Sequence, residues 1–202
     1  FLQFEQHYTS SASKLGIQLT RNVRMPVEED AGMSRDELEL GDTLGKGQFG
    51  AVTQGWWTRP ESGERVAVAV KSLAAGPNGE AIPAAEREAF VQEGAVMSDF
   101  NHPHVVKLFG IVRHPEVLLV IELVPLGPVN KYLRQMRKEG TPPGPSTVRE
   151  YLMQIAEGMA YLERMGVVHR DLAARNVLVA QPTVVKIADF GWATIAKDKR
   201  KT

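Results

Sequence analysis

The run His169-Arg170-Asp171-Leu172-Ala173-Ala174-Arg175-Asn176 packs an imidazole, two guanidiniums, a carboxylate and a carboxamide into eight residues. It stands directly before the apolar segment Val177-Leu178-Val179. A loop feeding a strand in this way holds Asp171 and Asn176 close together, both aimed into one cleft. That pair suits a reaction in which a carboxylate orients and deprotonates a hydroxyl while an amide oxygen helps hold a divalent cation. A structural loop can contain such residues by chance. The decision therefore falls to the other polar groups along the chain.

Composition narrows the field. Lysine plus arginine and aspartate plus glutamate both number 24, so the net charge is zero. There is no global attraction to nucleic acid or to an anionic membrane, and any polyanion site must be local. Absence of cysteine removes disulfides, thiolate metal sites and a cysteine nucleophile. No apolar run is long enough to span a bilayer, and Phe1-Leu2-Gln3-Phe4 does not open a signal peptide. Membrane insertion and nucleic-acid binding are not expected. A first residue that is Phe, not Met, leads us to expect a fragment.

In chain order, Leu2, Phe4, Tyr8 and Ala12 recur at helical intervals, and Leu15, Ile17 and Leu19 alternate as in a strand. Asn22 to Asp36, with Pro26, Glu28-Glu29-Asp30 and Gly32, reads as a solvated linker. Five strands are expected over Leu38–Gly45, Phe49–Trp57, Arg65–Leu73, Val105–Val112 and Val117–Leu123. A helix over Pro83–Ser98 has Pro83 in its first turn. Helices over Val129–Lys138 and Thr147–Met165 follow. The last places Val148, Leu152, Ile155, Met159 and Leu162 on one face, with Thr147 and Glu150 at capping-box spacing. His102-Pro103-His104 reads as a turn, since no third metal ligand stands nearby.

Gly45-Lys46-Gly47-Gln48-Phe49-Gly50-Ala51-Val52 joins strand to strand. Glycines there let backbone amides approach a phosphate with no side chain in the way. A dinucleotide-binding unit would open a helix at this point instead. Lys71, in Val68-Ala69-Val70-Lys71, lies between apolar strand segments and needs an anionic partner. Glu86, Glu88 and Glu93 on the following helix all compete for it. Asp189-Phe190-Gly191 closes the strand Val184 to Ala188.

Together, in this order, these motifs resemble those of protein kinases over roughly Leu38 to Lys197, and HRDLAARN resembles the tyrosine-kinase catalytic loop. The resemblance implies an α+β, two-lobed fold: a five-stranded small lobe with one helix, then a mainly helical large lobe. It selects Glu93 as the partner of Lys71, because Phe90-Val91-Gln92-Glu93 and Met97 match the kinase helix. It implies ATP and Mg2+ as cofactors. Asp171, Arg175, Lys71 and Glu93 take catalytic roles, and Asn176 and Asp189 hold the metal. Nucleotide contacts fall to Leu44, Gly45, Lys46, Gly47, Gln48, Phe49, Gly50, Val52, Ala69, Lys71, Ile121 (the gatekeeper), Glu122, Val124 and Leu178. Phe190, His169, Met97 and Leu108 form an apolar column between the lobes.

Ala173 and Arg175, where serine/threonine kinases usually carry a lysine two residues after the aspartate, imply a tyrosine acceptor. Leu126-Gly127-Pro128-Val129-Asn130-Lys131-Tyr132-Leu133 resembles the spleen tyrosine kinase (Syk) family of cytoplasmic, non-receptor enzymes. His7-Tyr8, Ala12, Leu15-Gly16 and Leu19-Thr20 resemble the closing helix and strand of a Src homology 2 domain. The expected organisation is thus a Src homology 2 remnant (1–25), a linker (26–37), a small lobe (38–122), then hinge and partial large lobe (123–202). Expected partners are tyrosine-bearing protein substrates. Phosphotyrosine-bearing partners would bind only through sequence upstream, and recruitment to the inner face of the plasma membrane would come through partners. Trp192, directly after Asp-Phe-Gly, departs from the Syk pattern, and the resemblance leads us to expect impaired turnover from residues 1–202 alone. A catalytically impaired, pseudokinase-like nucleotide-binding scaffold is the rival reading. A phosphotyrosine adaptor would need an arginine upstream of Phe1.

Overall fold

The computed structural model describes residues 33–47, 50–73 and 81–196. The helix and strand expected over residues 1–20, most of the linker, and Gln48 and Phe49 lie outside the described residues.

Five strands, with Val-Ala alternation in β3 and near-continuous apolar runs in β4 and β5, form an antiparallel sheet in the order β1-β2-β3-β5-β4. Its strands are β1 (Leu38–Gly47), β2 (Gly50–Thr58), β3 (Arg65–Leu73), β4 (Leu108–Val112) and β5 (Leu118–Glu122). Helix α1 (Ala84–Met97) follows β3. The period of two splits β3 between the sheet's faces. Val68 and Val70 pack into an outer cluster with Leu38, Val112, Leu118 and Val120, while Lys71 and Ala69 line the cleft.

The larger lobe has α2 (Val129–Lys138), α3 (Pro145–Arg164) and two small ladders, β6 (Val167–Val168) with β9 (Thr194–Ile195) and β7 (Val177–Gln181) with β8 (Val184–Ile187). The β7–β8 hairpin is riveted to α3. Tyr151 Oη donates to the Pro182 carbonyl at 2.6 Å, and Gln154 binds both Thr183 O and Val185 N at 2.8 Å. At Gly158 of α3 a Cβ would lie 2.9 Å from the His104 carbonyl oxygen and 2.8 Å from Ile187 Cδ1. This glycine lets the helix approach the segment before β4 and the strand β8 together. A single core cluster containing Phe90, Met97, Phe100, Leu108, Leu162, Ile187 and Phe190 then runs through both lobes. The α+β, two-lobed architecture is as expected.

Several boundaries differ. β4 begins at Leu108, not Val105, because residues 104–106 bond to β8 instead: Val106 N–H donates to Ile187 O, and Ile187 N–H to His104 O, each at 2.9 Å. Pro83 is the N-cap of α1, extended at φ −53°, ψ 138°, and so precedes the first turn. α3 starts at Pro145, two residues before Thr147, and the expected capping box is absent. Gly144 is its N-cap, and Pro145, which has no N–H to satisfy, opens the helix. On α3, Leu162, Ile155 and Met159 meet the core, but Val148 and Leu152 are exposed, at 41% and 64%. Tyr151 and Gly158 are buried instead. Pro103-His104 form the expected turn.

Candidate active site

Between the lobes lies a cleft of about 700 Å³, within the range that encloses small ligands. Its roof is the β1–β2 hairpin. Gly45 pairs with Val52, Lys46 with Ala51 and Gly47 with Gly50, so the glycine run sits in the strand ends. At Gly50 a Cβ would stand 1.8 Å from the Ser72 carbonyl oxygen, so only glycine brings the hairpin this close to β3.

Lys71 projects into the cleft from β3. Its Nζ donates to Glu93 Oε1 at 2.7 Å and Oε2 at 2.9 Å, and to Asp189 Oδ1 at 3.2 Å. One ammonium thus ties a strand, a helix and the segment after β8. Burial pulls the Lys71 pKa down, but the Glu93 and Asp189 carboxylates outweigh it and raise the pKa above its ordinary value. Burial raises the Glu93 pKa, against the pull of Lys71. Glu86 also lines the cleft, yet Glu93 is the residue in contact with Lys71.

The loop 169–176 is held from beneath. His169 is buried. Its Nε2–H donates to the Ala188 carbonyl at 3.1 Å, and its Nδ1 accepts the Asp171 N–H at 3.3 Å. These two bonds fix one neutral tautomer and join the loop to the strand leading into Asp189. Arg170 and Asp189 take left-handed backbone conformations, φ 68° and 63°. Each costs roughly 1–3 kcal/mol and persists because its surroundings hold it. Asp171 accepts from Arg175 Nη2 at Oδ1 and from Asn176 Nδ2 at Oδ2, the latter at 2.8 Å. Asn176 Nδ2 also donates to the Asp171 carbonyl at 2.9 Å. Both amide hydrogens of Asn176 are used on Asp171. Its Oδ1 remains as the acceptor of a buried side chain that lines the cleft.

Most of the residues expected to meet a nucleotide line one cleft: Leu44, Gly45, Gly50, Val52, Ala69, Lys71, Ile121, Glu122, Val124 and Leu178. Glu93, Arg175, Asn176 and Asp189 join them. Lys46 does not, and Asp171 is bonded to Arg175, which does. Glu122 bonds within the protein through both its side chain and its backbone. Its carboxylate pairs with Lys186 at 2.7 Å, and its N–H donates to Lys107 O at 2.9 Å. Sequence reasoning missed Lys131 and Trp192 as lining residues, and His169 as the connector of loop and strand. The signal for Lys131 was available, as the third residue of a helix whose N-cap, Pro128, lines the cleft. Phe190, Met97, Leu108 and His169 are all buried, with the Phe190 and His169 rings 4.9 Å apart.

Residues 38–202 match the model of a family described as protein tyrosine and serine/threonine kinase. The chain is 45% identical to the mouse non-receptor tyrosine-protein kinase TNK1 over 155 residues, which is 76% of this chain and 22% of the relative. It is 45% identical to human TNK1 over 152 residues, 75% of this chain and 22% of the relative. Human receptor tyrosine-protein kinase erbB-4 is 38% identical over 169 residues, 84% of this chain and 12% of the relative. The chain thus spans about a fifth, or less, of the length of these relatives.

Proposed function

The chain belongs to the protein tyrosine and serine/threonine kinase family, and we propose that it transfers the γ-phosphoryl group of ATP, with Mg2+, to tyrosine hydroxyls of proteins. The observation that carries this reading is the contact of Lys71 with both Glu93 and Asp189 on the wall of the cleft. A cation is held charged by two carboxylates where phosphates need it, and the paired helix fixes its direction.

The residues present fit both cofactors. Leu44, Val52, Ala69 and Leu178 offer apolar surface for a planar base. The free Oδ1 of Asn176 and the half-exposed carboxylate of Asp189 are hard oxygen donors, the kind magnesium takes alongside water and phosphate oxygens. The metal, when bound, offsets the negative charge of the phosphates. Lys71 orients the phosphates. Asp171, steadied by Asn176 and Arg175, orients the acceptor hydroxyl and takes its proton. A phenol, with a pKa near 10, needs less help than an aliphatic hydroxyl, so orientation is the larger share of that work. Ala173 and Arg175 support tyrosine over serine or threonine as the acceptor.

A non-receptor, cytoplasmic enzyme is our finer reading, recruited to membranes by partners. It draws support from the TNK1 relatives, whose names carry the non-receptor description, while erbB-4 is a receptor kinase. The Syk-like run Leu126–Leu133 and the Src homology 2-like details before residue 20 support the same class from sequence alone. The rival scaffold finds its support in Trp192, half-exposed at the cleft, and in the grip of Arg175 on Asp171. Against it, Lys71, Glu93, Asp171, Asn176 and Asp189 are all present.

The deciding experiment measures phosphotyrosine on a generic tyrosine peptide with ATP and Mg2+, beside Asp171→Asn. Activity that depends on magnesium and falls with the substitution supports the enzyme. A folded protein that binds ATP and leaves the peptide unmodified, whatever the length of chain tested, supports the scaffold.

A further inference from the structure

We infer that the outer face of α2 docks an acidic segment flanking the tyrosine of a protein substrate, an inference that rests on the kinase reading above. α2 carries Lys131, Arg134, Arg137 and Lys138 and no acidic residue. At 3.6 residues per turn, Lys131, Arg134 and Lys138 fall within about 60° of one another. They lie on the side away from Val129 and Leu133, which join a core cluster with Tyr151 and Val177. All four cations are exposed.

The bland account is a solvated helix face, and it covers only part of the stripe. Arg137 and Lys138 occupy the last turn, where cations suit the helix dipole. Lys131 and Arg134 gain nothing from that. Among the described residues none of the four forms an ion pair. Glu139, the next acid along the chain, bonds Gln135 instead. The chain's net charge is zero, so this is a local concentration of charge.

Continuity with the cleft supplies the occupant. Lys131 lines it, as does Arg175, which bonds Asp171. From Lys131 the stripe runs along α2 for about 10 Å. Alternate carboxylates of an extended peptide lie about 7 Å apart, so three or four residues beside the acceptor tyrosine would cover it. A membrane fits less well. The apolar residues of α2 face the protein core, leaving no apolar face to enter lipid.

The test uses Arg134→Gln/Arg137→Gln/Lys138→Gln, which leaves the cleft residue Lys131 in place. Two tyrosine peptides serve as probes, one with a glutamate flank and one with glutamines there. Exposed pairs are individually weak, and three together are expected to raise KM for the glutamate peptide about tenfold, with kcat unchanged and the glutamine peptide unaffected. Arg134→Lys/Arg137→Lys, with Lys138 kept, should leave KM at the unsubstituted value. An unchanged KM for the glutamate peptide, or equal rises for both peptides, would overturn the inference. So would lost binding to phosphatidylserine vesicles with peptide affinity intact. If neither peptide is phosphorylated, the kinase reading has failed. Fluorescence anisotropy of the same two peptides then still decides the docking, and equal affinities would overturn it.

Discussion

The two sides of the cleft hold their carboxylates in opposite ways. Glu93, 6% exposed at its side chain, meets a lysine that is 25% exposed, and the pair is tied to Asp189 across the cleft. Asp171, 28% exposed, meets an arginine that is 60% exposed on its own loop. The first arrangement is expensive to break, because a buried charge left unpaired costs several kcal/mol. The second is cheap to break, so the part proposed for Asp171 in orienting a substrate hydroxyl carries little of the fold's stability. Stability should therefore follow the Lys71 side, and chemistry without stability the Asp171 side.

The sharpest way to break this contrast is Asp171→Asn. A kcat loss of ~10²–10⁴-fold is expected, the range for a general base, with the denaturation midpoint almost unmoved. A large loss of stability would place Asp171 with the structural groups. Next comes Glu93→Ala, which leaves the Lys71 ammonium only the longer contact to the half-exposed Asp189 carboxylate. Breaking a buried pair costs about 3–5 kcal/mol, and the partial exposure of Lys71 puts the expected loss near the lower end. Urea denaturation measures it, and a loss under about 1 kcal/mol, the scale of a surface pair, would erase the difference between the two sides.

The same contrast explains what was legible in the sequence. Lys71 could be read because a lysine directly after Val68-Ala69-Val70 in a strand has to find an anion, and strand alternation fixes which way it points. Its partner was another matter: Glu86, Glu88 and Glu93 share one helix, and only the kinase resemblance chose among them. The loop's residues were legible as a set, whereas their internal bonds were not. That Asn176 uses both amide hydrogens on Asp171, or that His169 bridges to the Ala188 carbonyl, depends on left-handed turns at Arg170 and Asp189 that residue types alone do not announce. The start of α3 was misplaced for a local reason. Thr147 and Glu150 have the spacing of a cap, but Pro145 is preset for the first turn and the helix begins there.

Arg175→Ala sharpens the contrast at smaller scale. An ion pair this exposed contributes about 0.2–1 kcal/mol, so unfolding should barely register the change. Initial rates on a tyrosine peptide should fall, because Asp171 loses one of the two groups that steady it. A stability loss matching that of Glu93→Ala would show the loop to be as structural as the Lys71 network.

The smallest effect concerns the far end of the helix that carries Glu93. After α1 the chain docks on α3 through His102, whose ring stacks on Tyr161 with centroids 4.9 Å apart, and whose Nδ1 accepts the His104 N–H at 3.1 Å. Burial, then the neighbouring His104 and Arg164, lower the His102 pKa below its ordinary 6.5, with Glu157 opposing and Lys186 adding slightly. A histidine whose folded pKa is depressed contributes stability that is present above pH 6.5 and lost as pH falls through the lowered value. Protonation also sets an Nδ1–H against the His104 N–H. The thermal midpoint of the natural chain should therefore fall from pH 7 to pH 5 by more than that of His102→Asn, which has an acceptor oxygen but no charge to gain. Parallel profiles for the two proteins would mean that the joint between α1 and α3 does not sense pH through His102.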